Sequence, residues 1–145
     1  MLIKLLPEQV TRQWNEVKDM IEVSLPPIVG SQSDRMGNIL RAILLEELIV
    51  WMSVDKEDSA IEGLLITTRL EDKISGTSSL LIYCIYGYGS MEKQSWLEGA
   101  ETLKKYAISM NCNRIIGYTD VRSLIDLTIR LGGEARYTFI SLPLV

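Results

Sequence analysis

Hydrophobic positions follow two rhythms along this chain, and the switch between them divides it. Apolar residues first recur at Val10, Trp14, Val17, Met20 and Ile21. Spacings of three and four put them on one stripe of a helix that opens at Leu6-Pro7-Glu8, where proline is tolerated in the first turn. Pro26-Pro27 stops that helix, and Gly30 to Asp34 reads as a loop. Ser33 or Asp34 is placed to cap a second helix carrying Met36, Ile39, Leu40, Ile43 and Leu44.

From Leu48 the composition turns β-branched and aromatic. Leu48 to Val54, Ala60 to Leu70 and Ser79 to Tyr86 read as strands, joined by the polar turns Asp55–Ser59 and Glu71–Thr77. Connections this short imply an antiparallel meander. Gly87 to Met91 then breaks the pattern, and a long helix is expected from Lys93 to Met110, with its stripe at Trp96, Leu97, Ala100, Leu103, Ala107 and Met110. Ser95 and Glu98 have capping-box spacing, and Asn111 or Asn113 ends the helix. A strand follows over Arg114–Thr119. Asp120 is placed to cap a helix with Leu124, Ile125, Leu127, Thr128 and Leu131, Gly132-Gly133 closes it, and Tyr137 to Leu142 reads as a last strand. Leu103, Ala107, Ile115, Ile125 and Leu131 are expected in one core.

The order implies one α/β (α+β) domain over residues 1–145, with a mixed sheet and helices on both faces. Length agrees, since 145 residues suffice for a single hydrophobic core. Net charge is −4, without the basic excess that nucleic-acid binding uses, so no nucleic-acid partner is expected. The charge is uneven: residues 1–92 carry 8 basic and 14 acidic side chains, whereas residues 93–145 carry 7 and 5. A solvated acidic surface explains this; a platform for a basic substrate or partner is the other reading.

There is no histidine, and there are two cysteines. Ser–His–Asp and Cys–His chemistry and a Cys/His metal cluster are therefore excluded, and no metal is expected. Cys84 lies in an apolar run and reads as a buried small hydrophobe, and Cys112 lies in a turn. Neither a signal peptide nor a membrane-spanning helix is expected, which makes a reducing cytoplasm the expected compartment.

Leu97 to Ala107, the exit Met110 to Ile116, the helix end Ile125 to Gly133 and the strand Ile61 to Thr67 together resemble the GNAT superfamily of acyl-CoA N-acyltransferases. The resemblance covers residues 35–145, behind an N-terminal helix and loop at 1–34. It implies a GNAT-like sheet: an antiparallel meander followed by helix, strand, helix and strand. It also implies an acyl-CoA, such as acetyl-CoA, with the pyrophosphate at the N-terminus of the long helix, where backbone N–H groups and the helix dipole attract anions. By that resemblance the contacts would run through the backbone of Ile85, Tyr86, Gly87, Tyr88, Gly89 and Ser90. The glycines are not at the family's usual spacing, and Glu92 brings a negative charge nearby, so a plain turn is the favoured reading of Gly87 and Gly89 and a phosphate cradle the other.

Family members often place a carboxylate on a central strand to deprotonate the amine. The run Leu80 to Tyr86 has none, and Glu62, on a neighbouring strand, reads as solvent-facing. The family's tyrosine acid follows its fifth strand, which makes Tyr118 the one candidate; its place at a strand end favours a structural role. Trp14, Trp51 and Trp96 read as core or interface. Three functions stay open. The first is an acyl-CoA-dependent N-acyltransferase with weak or lost activity. The second is a silent module working by contact with a protein partner or a second copy, resembling compact phage-encoded GNAT-like proteins; its location would be the host cytoplasm or the virion. The third is a non-catalytic binder of a coenzyme-like molecule.

Overall fold

The β-branched runs form the centre of the molecule. In the computed structural model, which describes residues 1–87 and 92–144, β2 (Ile49–Val54), β3 (Ile61–Asp72) and β4 (Thr77–Tyr86) make the expected antiparallel meander. Aspartates set both turns. Asp55 Oδ1 accepts the Glu57 N–H at 2.8 Å, and Asp72 accepts the Ile74 N–H at 3.1 Å and the Ser75 hydroxyl at 2.7 Å. β1 (Leu2–Lys4), which the sequence pattern did not reveal, pairs antiparallel with β2, and β5 (Arg114–Gly117) pairs parallel with β4. The sheet order is β1-β2-β3-β4-β5.

The expected first helix is two: α1 (Pro7–Arg12) and α2 (Trp14–Glu22), separated at Gln13 with φ −111°. α3 (Arg35–Leu44) has Asp34 at its cap position without a side-chain bond. α4 (Lys93–Ser109) is followed by Asn111 in the left-handed region at φ 59°. α5 (Arg122–Arg130) starts from Val121, not from an Asp120 cap; Thr119 Oγ1 accepts the Val121 N–H at 3.0 Å. Gly132 closes α5 at φ 91°. Among the described residues no helix is long and apolar enough to cross a membrane.

Alternation along the strands sends side chains to two cores. Val50, Leu64 and Ile66 pack with Val10, Val17, Ile21, Ile39 and Ile43 of α1 to α3. Trp51, Leu65 and Leu80 pack on the other face with Leu103 and Ala107 of α4. Each fully buried aliphatic side chain contributes about 1.5–3 kcal/mol. The second core is pinned by the Trp51 indole N–H, which donates to the buried Thr67 hydroxyl at 2.9 Å, and by Tyr106, whose ring meets Trp51 edge-on at 5.0 Å.

Two expectations fail at the C-terminal end. α5 has no fully buried residue, and Leu131 is 41% exposed, so the expected five-residue core does not reach it. Tyr137 to Leu142 form no strand either. Their composition suits one, but among the described residues their backbone has no ladder partner, and Tyr137, Ile140 and Leu142 are exposed. Strand propensity reports fit to a pleated, half-buried surface, and without a partner it produces only an extended segment.

Candidate functional site

The parallel ladder between β4 and β5 runs from Ser79↔Arg114 to Ile82↔Gly117 and stops there. β4 continues to Tyr86, so among the described residues Tyr83 to Tyr86 have no ladder partner on that side. In open α/β sheets, ligands bind beyond the carboxyl ends of parallel strands, where the outgoing connections diverge. Here one connection leads through Gly87 to α4, and the other through Tyr118 to α5.

Tyr83 is also the extra residue of a β-bulge. Ile66 faces Cys84 and Thr67 faces Ile82, which leaves Tyr83 without an opposite number on β3. The bulge reverses the alternation: Leu80 and Ile82 pack on the α4 face, whereas both Tyr83 and Cys84 turn to the α1–α3 face. Burial raises the Tyr83 pKa, with Cys84 adding to the shift. Burial also pushes the Cys84 thiol up to about 12, partly opposed by a hydrogen bond from Ser24. It is therefore a core residue and not a nucleophile. Cys112 is buried in the opposite core.

A second bulge shapes the entry to α4. Ser53 pairs with Gly63 and Val54 with Ile61, so Glu62 is the extra residue on β3. Its carboxylate is half-buried, not solvent-facing as its sequence context implied. Oε2 accepts the Ser53 hydroxyl at 2.9 Å, and Oε1 accepts the Ser95 hydroxyl, in the first turn of α4, at 3.2 Å. The expected Ser95–Glu98 capping box is thereby replaced: Ser95 is tied to β3, and Glu98 receives Lys56 Nζ at 3.1 Å. Gly87 meets the backbone of the same bulge at φ 81°, where a β-carbon would lie 2.5 Å from the Glu62 carbonyl oxygen. The N-cap of α4 is Glu92, whose backbone is extended, and among the described residues its side chain makes no cap bond.

Of the candidate residues, the structure brings Ile85, Tyr86 and Gly87 to the carboxyl end of β4. Ile85 packs on the α4 face, and Tyr86 is 38% exposed. Tyr88, Gly89 and Ser90 lie outside the described residues. Tyr118 stands at the same end of the parallel pair, just beyond β5, also 38% exposed, with its ring edge-on to Phe139 at 5.3 Å.

A feature the sequence pattern did not reveal lies on the α1–α3 face. An open cavity of about 580 Å³ is lined by the loop at Ile28 to Gly30, one side of α3, the start of β2, and Thr68 and Tyr83 of the sheet. Its volume suits a small molecule. Tyr83, first residue of β4 beyond the β5 ladder, joins this cavity to the opening between the strands.

No family model and no curated protein sequence matches the chain. Solved structures of the same fold do. An aminoglycoside acetyltransferase from an uncultured soil metagenomic sample superposes with a TM-score of 0.71 at 14% identity, over 100% of this chain and 98% of that one. A GNAT family acetyltransferase from Staphylococcus aureus gives 0.66 at 10% identity, over 99% and 98%. AAC(6')-Iy in complex with the bisubstrate analogue CoA-S-monomethyl-acetylneamine gives 0.66 at 12% identity, over 99% and 96%. The chain thus has the GNAT fold, with a mixed five-stranded sheet and helices on both faces.

Proposed function

We propose that this chain is a member of the GNAT superfamily that binds an acyl-CoA at the β4–α4 junction and acts as an N-acyltransferase of low activity. One observation carries the reading: the β4–β5 ladder ends at Ile82↔Gly117, before β4 hands over to an α4 whose N-cap residue, Glu92, makes no side-chain cap among the described residues. The N–H groups of the first α4 turn and the positive end of the helix dipole are suited to the pyrophosphate. The backbone from Ile85 to Ser90 would follow the pantetheine and phosphates. The neighbour held with a CoA-containing bisubstrate analogue supports this assignment.

In the transfer, the amine nitrogen attacks the thioester carbonyl and the C–S bond breaks. The amine loses a proton, and CoA leaves as the thiol after gaining one. Backbone N–H groups of β4 exposed by the opening would stabilise the oxyanion, and Tyr118 is the candidate acid for the thiolate. Low activity follows from what surrounds these groups. The chain has no histidine and β4 has no carboxylate to take the amine proton. Glu62, bonded to Ser95, and Glu92 at the cap place two carboxylates beside the phosphate position.

A specific observation favours a second reading, in which the chain works by protein contact. Tyr137, Ile140 and Leu142 are each at least 80% exposed in an extended segment, and apolar surface of that kind marks contact sites. Calorimetric titration with CoA and acetyl-CoA, alongside thermal melting, separates the two. A ligand bound by the native state raises the melting temperature by mass action. Saturable binding supports the acyl-CoA reading; its absence at millimolar ligand leaves the contact reading.

A further inference from the structure

The accessible surface of the chain is 9851 Å², whereas a compact monomer of 16.4 kDa exposes about 7,500 Å². The excess, about 2,300 Å², is larger than the roughly 800 Å² that each partner gives to a standard interface, and it is in the range of obligate homodimers. The C-terminal end contributes to it directly. Every residue from Glu134 to Leu144 is exposed, and Tyr137, Ile140, Leu142 and Leu144 are each at least 80% exposed. Residues 137–144 carry no charged side chain, so the lysine or inward charge that keeps a lone strand-forming segment from pairing is missing there. Pro143 limits pairing only near the end. β5 is the last strand in the sheet order, and its outer edge has no ladder partner among the described residues. Within one copy the segment touches that end of the sheet through the Phe139 ring, edge-on to Tyr118 at 5.3 Å, without forming a ladder among the described residues. The same chain thus presents two unsatisfied backbone rows, and each supplies what the other lacks.

We infer that a second copy of this chain covers the segment: Tyr137 to Leu142 of each copy runs as a strand along the open β5 edge of the other, about a two-fold axis. The inference rests on the protein-contact reading, to which it adds the partner, and it does not depend on acyl-CoA. One contact used twice satisfies both backbone rows in both copies, as closed two-fold symmetry requires. β5 has four residues, Arg114–Gly117, which Tyr137 to Leu142 is long enough to span. In strand geometry, alternation puts Ile140 and Leu142 on one face and Tyr137 and Phe139 on the other. Apolar side chains would therefore extend both faces of the sheet. A strongly charged partner would find no counter-charge on residues 137–144, whereas a neutral, self-complementary strand needs none.

Sedimentation of the full chain over a concentration series tests this, with amide hydrogen exchange on the same samples. The expected species is a dimer of twice 16.4 kDa. Where it prevails, alternate amides of residues 137–142 and the outward amides of β5 should exchange about tenfold slower, or more, than after dilution to monomer. Ile140→Lys combined with Leu142→Lys should weaken the dimer at least about tenfold. Ile74→Lys, at a side chain 99% exposed in the β3–β4 turn, should leave it unchanged. The wild-type exchange comparison decides the matter even where the double variant does not fold. A monomer whose 137–142 amides exchange fast at every concentration overturns the inference and leaves contact with an unlike partner standing. A monomer whose 137–142 amides are slow overturns the contact reading as well, because the segment then pairs within its own copy. A dimer that leaves those amides fast, or that both lysines fail to weaken, also overturns the inference.

Discussion

The α-carbon of Gly87 lies so close to the backbone of Glu62 that an added β-carbon would stand 2.5 Å from the Glu62 carbonyl oxygen and 2.9 Å from the Gly63 α-carbon. The obstacle is backbone inside a sheet, which cannot rotate away. Gly76 provides the comparison, with φ 74° but nothing within 4 Å of its β-carbon position. Gly76→Ala should therefore show only the strain of a left-handed backbone, on the order of 1 kcal/mol. Gly87→Ala should lose clearly more. Urea midpoints at constant slope measure both, and equal losses would mean that the β3–β4 contact yields at no cost.

Leu103 and Leu131 were both expected in the core, yet they occupy opposite situations. Leu103 is 5% exposed against Trp51 and Leu80, whereas Leu131 is 41% exposed at the end of α5. Leu103→Ala should cost roughly 2–5 kcal/mol, the range for emptying a packed aliphatic site. Leu131→Ala should stay within about 0.5 kcal/mol. A large loss at Leu131 would show that α5 is packed more tightly than its exposure indicates.

Cys84 gives the fold a pH dependence with a defined sign. Burial holds its folded pKa near 12, against an unfolded value of 9.0. As pH rises past 9.0, the unfolded chain gives up the thiol proton while the folded chain keeps it, so rising pH favours unfolding. The contribution is whole below pH 9.0 and is lost towards pH 12. Tyrosines and lysines titrate in the same window, so wild type should be compared with Cys84→Ala. The wild type should lose stability more steeply above pH 9.0, and at pH 8 an aromatic disulfide reagent should reach Cys84 only after unfolding. Identical slopes would remove Cys84 from the pH dependence.

What the sequence revealed and what it concealed differ in range. α3, α4 and the meander were legible because their signals are local: apolar spacing, aspartate turns, and an asparagine at the end of α4. β1 was not, because a three-residue strand exists only through pairing with Met52 and its neighbours, some fifty residues away. Both bulges were invisible for a related reason. One extra residue at Glu62 or Tyr83 leaves composition unchanged and is defined by the partner strand. Ser95 and Glu98 had capping-box spacing, but α4 starts at Lys93, so Ser95 falls inside the first turn and reaches Glu62 instead. The candidate site was thus half legible. The sequence points to the β4–α4 handover as its position, whereas the bonds of Glu62 to Ser53 and Ser95 and the place of Tyr83 beyond the β5 ladder depend on register.

Backbone amide NMR with CoA added stepwise shows whether an acyl-CoA is held where β4 passes into α4. Saturable shifts are expected to be largest at Gly87 and at Lys93, Gln94 and Ser95 in the first turn of α4, with little change in β1 or α3. Shifts confined to other parts of the fold, or no shift in that first turn at millimolar CoA, would contradict that placement.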